Sequence, residues 1–191
     1  MRTLRSLAVA ACLFGSASVG TCQDVPNAEL TAGYSFLYDN SFSDSDSGGD
    51  FPLGWQTSAH FPITGLVGAV VDLSGHYKSR EGGSDLSVYG FHGGIRLSTR
   101  DSARLTPYAQ LLAGVTHGGA QVVCAAGAGP GCGVIGARET DFSIQPGIGF
   151  LVKVSNAVGI DVGGDYRLVF SEEKANEFRL HVGVAFLIGK K

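Results

Sequence analysis

The chain has 191 residues, 44% hydrophobic and only 16% charged, and its 29 glycines are about twice the usual share of roughly 7%. That hydrophobic content excludes a disordered tail protein, and six prolines with no three-residue glycine period exclude collagen, so the length fits one folded domain. A formal charge of −3, with no Lys/Arg run longer than Lys190-Lys191, offers no phosphate-neutralising surface, and nucleic acid is not an expected partner.

The chain opens as an export signal. Arg2 and Arg5 form a positive start, Leu7 to Phe14 a short apolar run, and Gly15 to Gly20 the small residues that a signal peptidase accepts. Cleavage is expected after Ala17, Gly20 or Cys22, which makes 1–22 a signal peptide and 23–191 the mature domain. The apolar run is too short for a membrane anchor. A lipoprotein is disfavoured because Val19-Gly20-Thr21-Cys22 has Thr where a lipobox wants Gly or Ala.

Beyond the signal no apolar run reaches 18 residues, and the period is two. From Ala28 onward eight segments alternate, each near the 9 to 11 residues that a tilted membrane-spanning strand needs. The first sets Leu30, Ala32, Tyr34, Phe36 and Tyr38 against Glu29, Thr31, Gly33 and Ser35. Next come Trp55 to Phe61 and Val67 to Tyr77, whose polar faces carry His60, Asp72 and His76. The fourth, Tyr89 to Leu97, places His92 and Arg96 on that face, and the fifth is Ala109 to Thr116. The last three run from Asp141 to Lys153, Val158 to Leu168 and Glu177 to Ile188, adding Lys153, Asp161, Asp165, Arg167, Glu177, Arg179 and His181. Every charge in these segments falls on one face.

Connections alternate too. Residues 39–52, 78–85, 118–139 and 171–176 are longer or more polar than Pro62 to Gly65, Ser98 to Thr106 and Ser155 to Ala157. This asymmetry matches an outer-membrane barrel with both termini on the short-turn, periplasmic side. Pro146 interrupts the sixth segment where it cannot donate to a ladder, and a bulge is expected there, beside Gly147 and Gly149.

Alternation alone does not say which face points outward, and a soluble lipocalin-like barrel would turn its apolar face inward. Tyr34, Phe36, Tyr38, Trp55, Phe61, Tyr77, Tyr89, Phe142, Phe170 and Phe178 lie near the ends of the apolar face, as interfacial girdles do. The Gly-x-Trp signature of lipocalins is missing from the first segment, and Gly54-Trp55 lies on the second. The expected fold class is therefore all-β, an eight-stranded antiparallel up-and-down transmembrane β-barrel.

Val25 to Phe36 at the mature start, Asp72-Leu73-Ser74-Gly75-His76-Tyr77, Thr106-Pro107-Tyr108 and the closing Asn176 to Phe186 resemble the small eight-stranded outer-membrane β-barrel family. That family is related to the transmembrane part of outer-membrane protein A and to the opacity proteins. The resemblance covers nearly the whole mature chain and implies a bacterial outer-membrane scaffold or surface protein with no catalytic residues to carry over. The end departs from the family pattern: where many members finish on an aromatic residue, Phe186 is followed by Leu187 to Lys191.

The polar face carries His60, Asp72, His76, His92, Arg96, Asp161, Asp165, Arg167, Glu177, Arg179 and His181. Inside a narrow barrel such groups must pair, so a plugged polar lumen is expected. Four histidines from four strands lack the short spacing of a metal site, and no metal or cofactor is expected. Ser74 and His76 could suggest a lipid hydrolase, but they share the face turned away from lipid. Asp44, Asp46 and Asp50 lack the ligand positions of a calcium loop, and Gly127, Gly129 and Gly131 lack the following helix of a phosphate cradle. Cys124 and Cys132, eight apart in an exported loop, read as a disulfide rather than a metal pair. The expected protein is a monomer in outer-membrane lipid, structural or interacting through loops 39–52 and 118–139, with a narrow-pore channel and a lipid-modifying enzyme as the alternatives.

Overall fold

The computed structural model describes residues 26–40, 49–80, 84–99, 104–122, 135–171 and 175–190. The signal segment 1–22, Asp44 and Asp46, the glycines at 127, 129 and 131, Cys124 and Cys132 lie outside the described residues. The strands are β1 (Pro26–Asp39), β2 (Asp50–Phe51), β3 (Leu53–Pro62), β4 (Val67–Arg80), β5 (Ser84–Ser98), β6 (Leu105–Val122), β7 (Ile135–Lys153), β8 (Val158–Val169) and β9 (Ala175–Lys190). All neighbours are antiparallel and follow chain order, and β1 pairs with β9 to close the sheet. With β2 and β3 forming one wall strand, this is a closed eight-stranded barrel.

Pairing partners traced once round the wall from Glu29 pass His60, Val70, Gly94, Leu112 and Gln145; the register set by Ile144↔Leu168 and Gly147↔Asp165 carries the path to Arg167, and from there it passes Glu177 and returns to β1 at Asp39, ten residues on. That stagger tilts the strands and leaves an interior about wide enough for side chains alone.

The end that holds the termini has the short connections Ile63–Leu66, 99–104 and Val154–Ala157. Two expected loops at the opposite end are shorter than the alternation suggests. β4 and β5 pair out to Arg80↔Ser84, so 78–85 shrinks to 81–83, and β6 and β7 pair out to Val122↔Ile135, so 118–139 shrinks to 123–134. Polar residues there continue the ladder because backbone pairing needs no particular side chain.

The bulge expected at Pro146 is absent. On the β6 side Leu111↔Pro146 sits in unbroken register, and on the β8 side the ladder skips Gln145 and Pro146 and resumes at Gly147↔Asp165 without a shift. Pro146 has no N–H to give β8, and the barrel tolerates the missing rungs. The register shift lies at Pro52 instead. Between Tyr34↔Trp55 and Leu37↔Phe51, β1 spends two residues where its partner spends three. This extra residue reverses the alternation. Leu53 and Trp55 face outward, while Phe51 turns into the lumen. The Tyr34 hydroxyl donates to the Pro52 carbonyl across the bulge.

The surface is inverted relative to a soluble protein. Leu30, Phe91, Ile95, Leu111, Ile148, Val162, Leu180 and Val184 are exposed on the outside, while the arginines, aspartates and histidines of the other face are buried. Tyr34, Tyr38, Trp55, Tyr89, Phe142 and Phe178 face outward toward the loop end, and Phe61, Phe150 and Phe186 toward the termini end. A wall of this kind is stable only against hydrocarbon, where closure pairs the edge strands that lipid would leave without a partner.

Candidate functional site

Of the polar-face residues singled out in the sequence, the lumen buries His60, Asp72, His76, His92, Arg96, Asp161, Asp165, Arg167, Glu177, Arg179 and His181. At its centre Arg179 of β9 donates through Nη1 to Asp72 Oδ1 of β4 at 2.8 Å, across the barrel, and through Nη2 to Asp165 Oδ2 of β8 at 2.8 Å. Its neighbour Arg167 donates through Nη1 to Glu177 Oε2 at 2.8 Å, through Nε to Gln145 Oε1 at 2.9 Å and through Nη2 to Ser74 Oγ at 3.2 Å. Both guanidinium side chains are 0% exposed. Planar, permanently charged forks suit this position because each reaches several strands at once.

Toward the termini the network continues through Gln110 and Tyr108. Gln110 donates to Asp165 Oδ1 at 2.9 Å and accepts from Arg96 Nη2 at 2.8 Å, while the Arg96 guanidinium lies 3.9 Å from the Tyr108 ring centroid. The described partners of Arg96 are an amide oxygen and an aromatic face rather than a carboxylate. The Tyr108 hydroxyl lies 3.3 Å from Asp161 Oδ2 and 3.2 Å from His181 Nε2. His181 lies 3.3 Å from both Asp161 and Asp165, and His60 Nδ1 meets Glu29 at 2.9 Å. Lys153 stands apart, half-buried at the termini end of β7.

Two features extend the network beyond the charged and histidine residues. Glu29, Ser35, Gln110 and Gln145, which alternation places on the polar face, are members of it, and so is Tyr108 at the start of β6. The lumen is also not polar throughout: Leu37, Phe51 and Val88 pack together at the loop end with Leu86 against them, and Val70, Leu112 and Leu151 are buried closer to the termini. A polar network capped by apolar side chains loses its contact with bulk water.

Serine and histidine do meet inside. Ser35 Oγ lies 2.9 Å from His76 Nε2, and Ser143 Oγ lies 2.7 Å from His92 Nε2 and 2.9 Å from Thr116 Oγ1. Among the described residues neither histidine's Nδ1 has a partner, so no described acid orients either ring, and both rings are fully buried. Ser74, bound by Arg167, does not meet His76. Among the described residues no three His, Cys, Asp or Glu side chains converge on a point that could hold a metal ion.

No family model and no curated protein matches the sequence. Among solved structures, the chain is similar to Neisserial surface protein A at 16% identity and a TM-score of 0.62, covering 85% of this chain and 97% of that one. It is similar to Ail, the attachment invasion locus protein of Yersinia pestis, at 13% identity and 0.59, covering 85% and 98%. The outer membrane protein OprG from Pseudomonas aeruginosa matches at 7% identity and 0.57, covering 86% and 96%. At such identities the shared property is the fold, that of the small eight-stranded outer-membrane barrels.

Proposed function

We propose that the protein is an integral outer-membrane barrel with a plugged lumen and a structural or surface-interaction role, and that it performs no catalysis. The reading takes 1–22 as a cleaved signal, a Cys124–Cys132 bridge as a staple of the longest loop, and the loop-end segments 40–49 and 123–134, within the expected loops 39–52 and 118–139, as the surface offered to envelope or extracellular partners. The observation that carries it is the pair of fully buried arginines bridged across the lumen to Asp72, Asp165 and Glu177, beneath the apolar contact of Leu37, Phe51 and Val88. Neither group can leave without stranding a buried charge, which costs several kcal/mol. The resting barrel is closed.

A second reading, a narrow pore, draws support from buried polar atoms that have no partner among the described residues, Gln56 Nε2, His76 Nδ1, His92 Nδ1, Gln145 Nε2 and Asp161 Oδ1, each of which a water in the lumen would satisfy. Planar-bilayer recording separates the two. The wild type is expected to pass no steady current, and Arg167→Ala/Arg179→Ala to leak small ions. Steady large single-channel steps from the wild type would sink the plugged reading.

A further inference from the structure

We propose that the barrel wall carries a seat for one lipid with an anionic phosphate head, on the loop-end half of its outward face between β3 and β7. The inference rests on the reading that this face meets lipid. A groove of about 200 Å³ opens there, lined chiefly by Trp55, Leu73, Tyr89, Phe91, Val115 and His117. Its floor is low where Ser74 and Gly90 turn inward. Ser74 Oγ is held by Arg167 in the lumen, and a Cβ on Gly90 would point at Arg167, His92 and Ser74.

The rim of the groove is constructed rather than incidental. The Trp55 indole lies over its cross-strand partner Gly75, where an added Cβ would come within 2.7 Å of Nε1. That Nε1 donates to the Tyr77 hydroxyl at 3.3 Å, and Tyr77 meets Tyr89 edge to face at 5.8 Å. Three aromatic side chains thereby brace one another along one side, and none of them collapses into the space beside Phe91 and Val115.

Polarity along the groove runs from hydrocarbon to cation. Leu73, Phe91 and Val115 offer an acyl chain only apolar surface. At the loop end stands His117, the one histidine on the outward face, with Nδ1 engaged by Thr140 Oγ1 at 2.7 Å, which leaves Nε2 for a ligand. One outward-facing row further, beside Gly119, comes exposed Arg138, and among the described residues no carboxylate bridges it. Asp85 lies a row beyond that, on the β5 side. A guanidinium and an imidazole above an apolar slot, at the height of an aromatic girdle, match a phosphate head above its acyl chain. A zwitterionic head would gain less from the two donors.

Trp55 is the only tryptophan in the chain, so intrinsic fluorescence reports on this groove alone. The folded barrel is reconstituted in phosphatidylcholine vesicles carrying either dibrominated phosphatidic acid or dibrominated phosphatidylcholine, and quenching is compared. Phosphatidic acid is expected to quench as though enriched about fivefold beside Trp55, the scale of one well-placed basic residue against an anionic lipid. The enrichment should vanish in Arg138→Gln/His117→Gln and persist in Arg138→Lys, with heat-modifiable migration showing that each variant is folded. Equal quenching by both lipids in the wild type, or enrichment unchanged in the double variant, overturns the seat while leaving the face in lipid. No quenching by either lipid overturns the lipid-facing reading itself.

Discussion

Val182 and Ile188 lie on the same strand and the same outward face, 46% and 48% exposed, yet they differ in depth. Val182 sits mid-strand opposite Tyr34 and Val162, and Ile188 sits near the termini end opposite Ala28. A charge on the lipid side of a barrel costs about 2 to 4 kcal/mol at the midplane and about 0 to 1 near the interface. Val182→Arg is therefore expected to destabilise far more than Ile188→Arg in reversible unfolding from vesicles. Equal costs would contradict the membrane depth assigned here, because a soluble barrel has no such gradient. Gly183, next to Val182 but inward-facing, looks replaceable from the alternation alone. It is not: a Cβ there would come within 2.8 Å of the Ala32 carbonyl oxygen, and one on Gly33 would fall on Val182 and Gly183 backbone. The closing seam between β1 and β9 requires glycine on both strands.

The strands are joined by more than their ladders. Arg167 and Glu177 face each other on β8 and β9, and Arg167 also reaches Gln145 on β7 and Ser74 on β4. Removing one member of such a buried pair costs about 3 to 5 kcal/mol, much of it the stranded partner's desolvation, whereas removing both members can be near neutral. Arg167→Met is expected to lower unfolding stability by that amount, and Arg167→Met/Glu177→Leu to recover a large part of it. If the double variant were no more stable than the single one, the pair would not be the coupled unit described. At the element scale the sequence was legible wherever period two ran unbroken, as in β8 and β9, whose inward residues Asp161, Asp165, Arg167, Glu177, Arg179 and His181 all lie in the lumen. It was misleading at the prolines. Pro146 and Pro52 both remove a ladder donor, and only the neighbouring register decides which one shifts the strand. That decision brings Phe51 inside, where it packs with Leu37 and Val88.

At the scale of the whole molecule, closure of β1 on β9 leaves no free edge, so disruption must break pairing around the entire wall. In detergent the barrel should keep its fold unless heated, and boiled and unboiled samples are expected to migrate at different positions on a gel. Identical migration would argue against a closed transmembrane barrel. The lumen stays narrow because ten residues of stagger accompany eight strands, and the side chains present are enough to fill it.

The number of wall strands, the division of each into two faces and the concentration of charge on one of them were determined by the sequence itself, because a pleated strand alternates its side chains with a period of two whatever surrounds it. Three things were decided only by the tertiary structure: the partners within the lumen, the apolar cap and the outward groove. Arg179 meets Asp72 across 107 positions, and Trp55, Tyr89 and Val115 converge from three strands. Such meetings depend on the stagger at which the sheet closes. No local pattern encodes that stagger, since it arises only when the last strand finds the first.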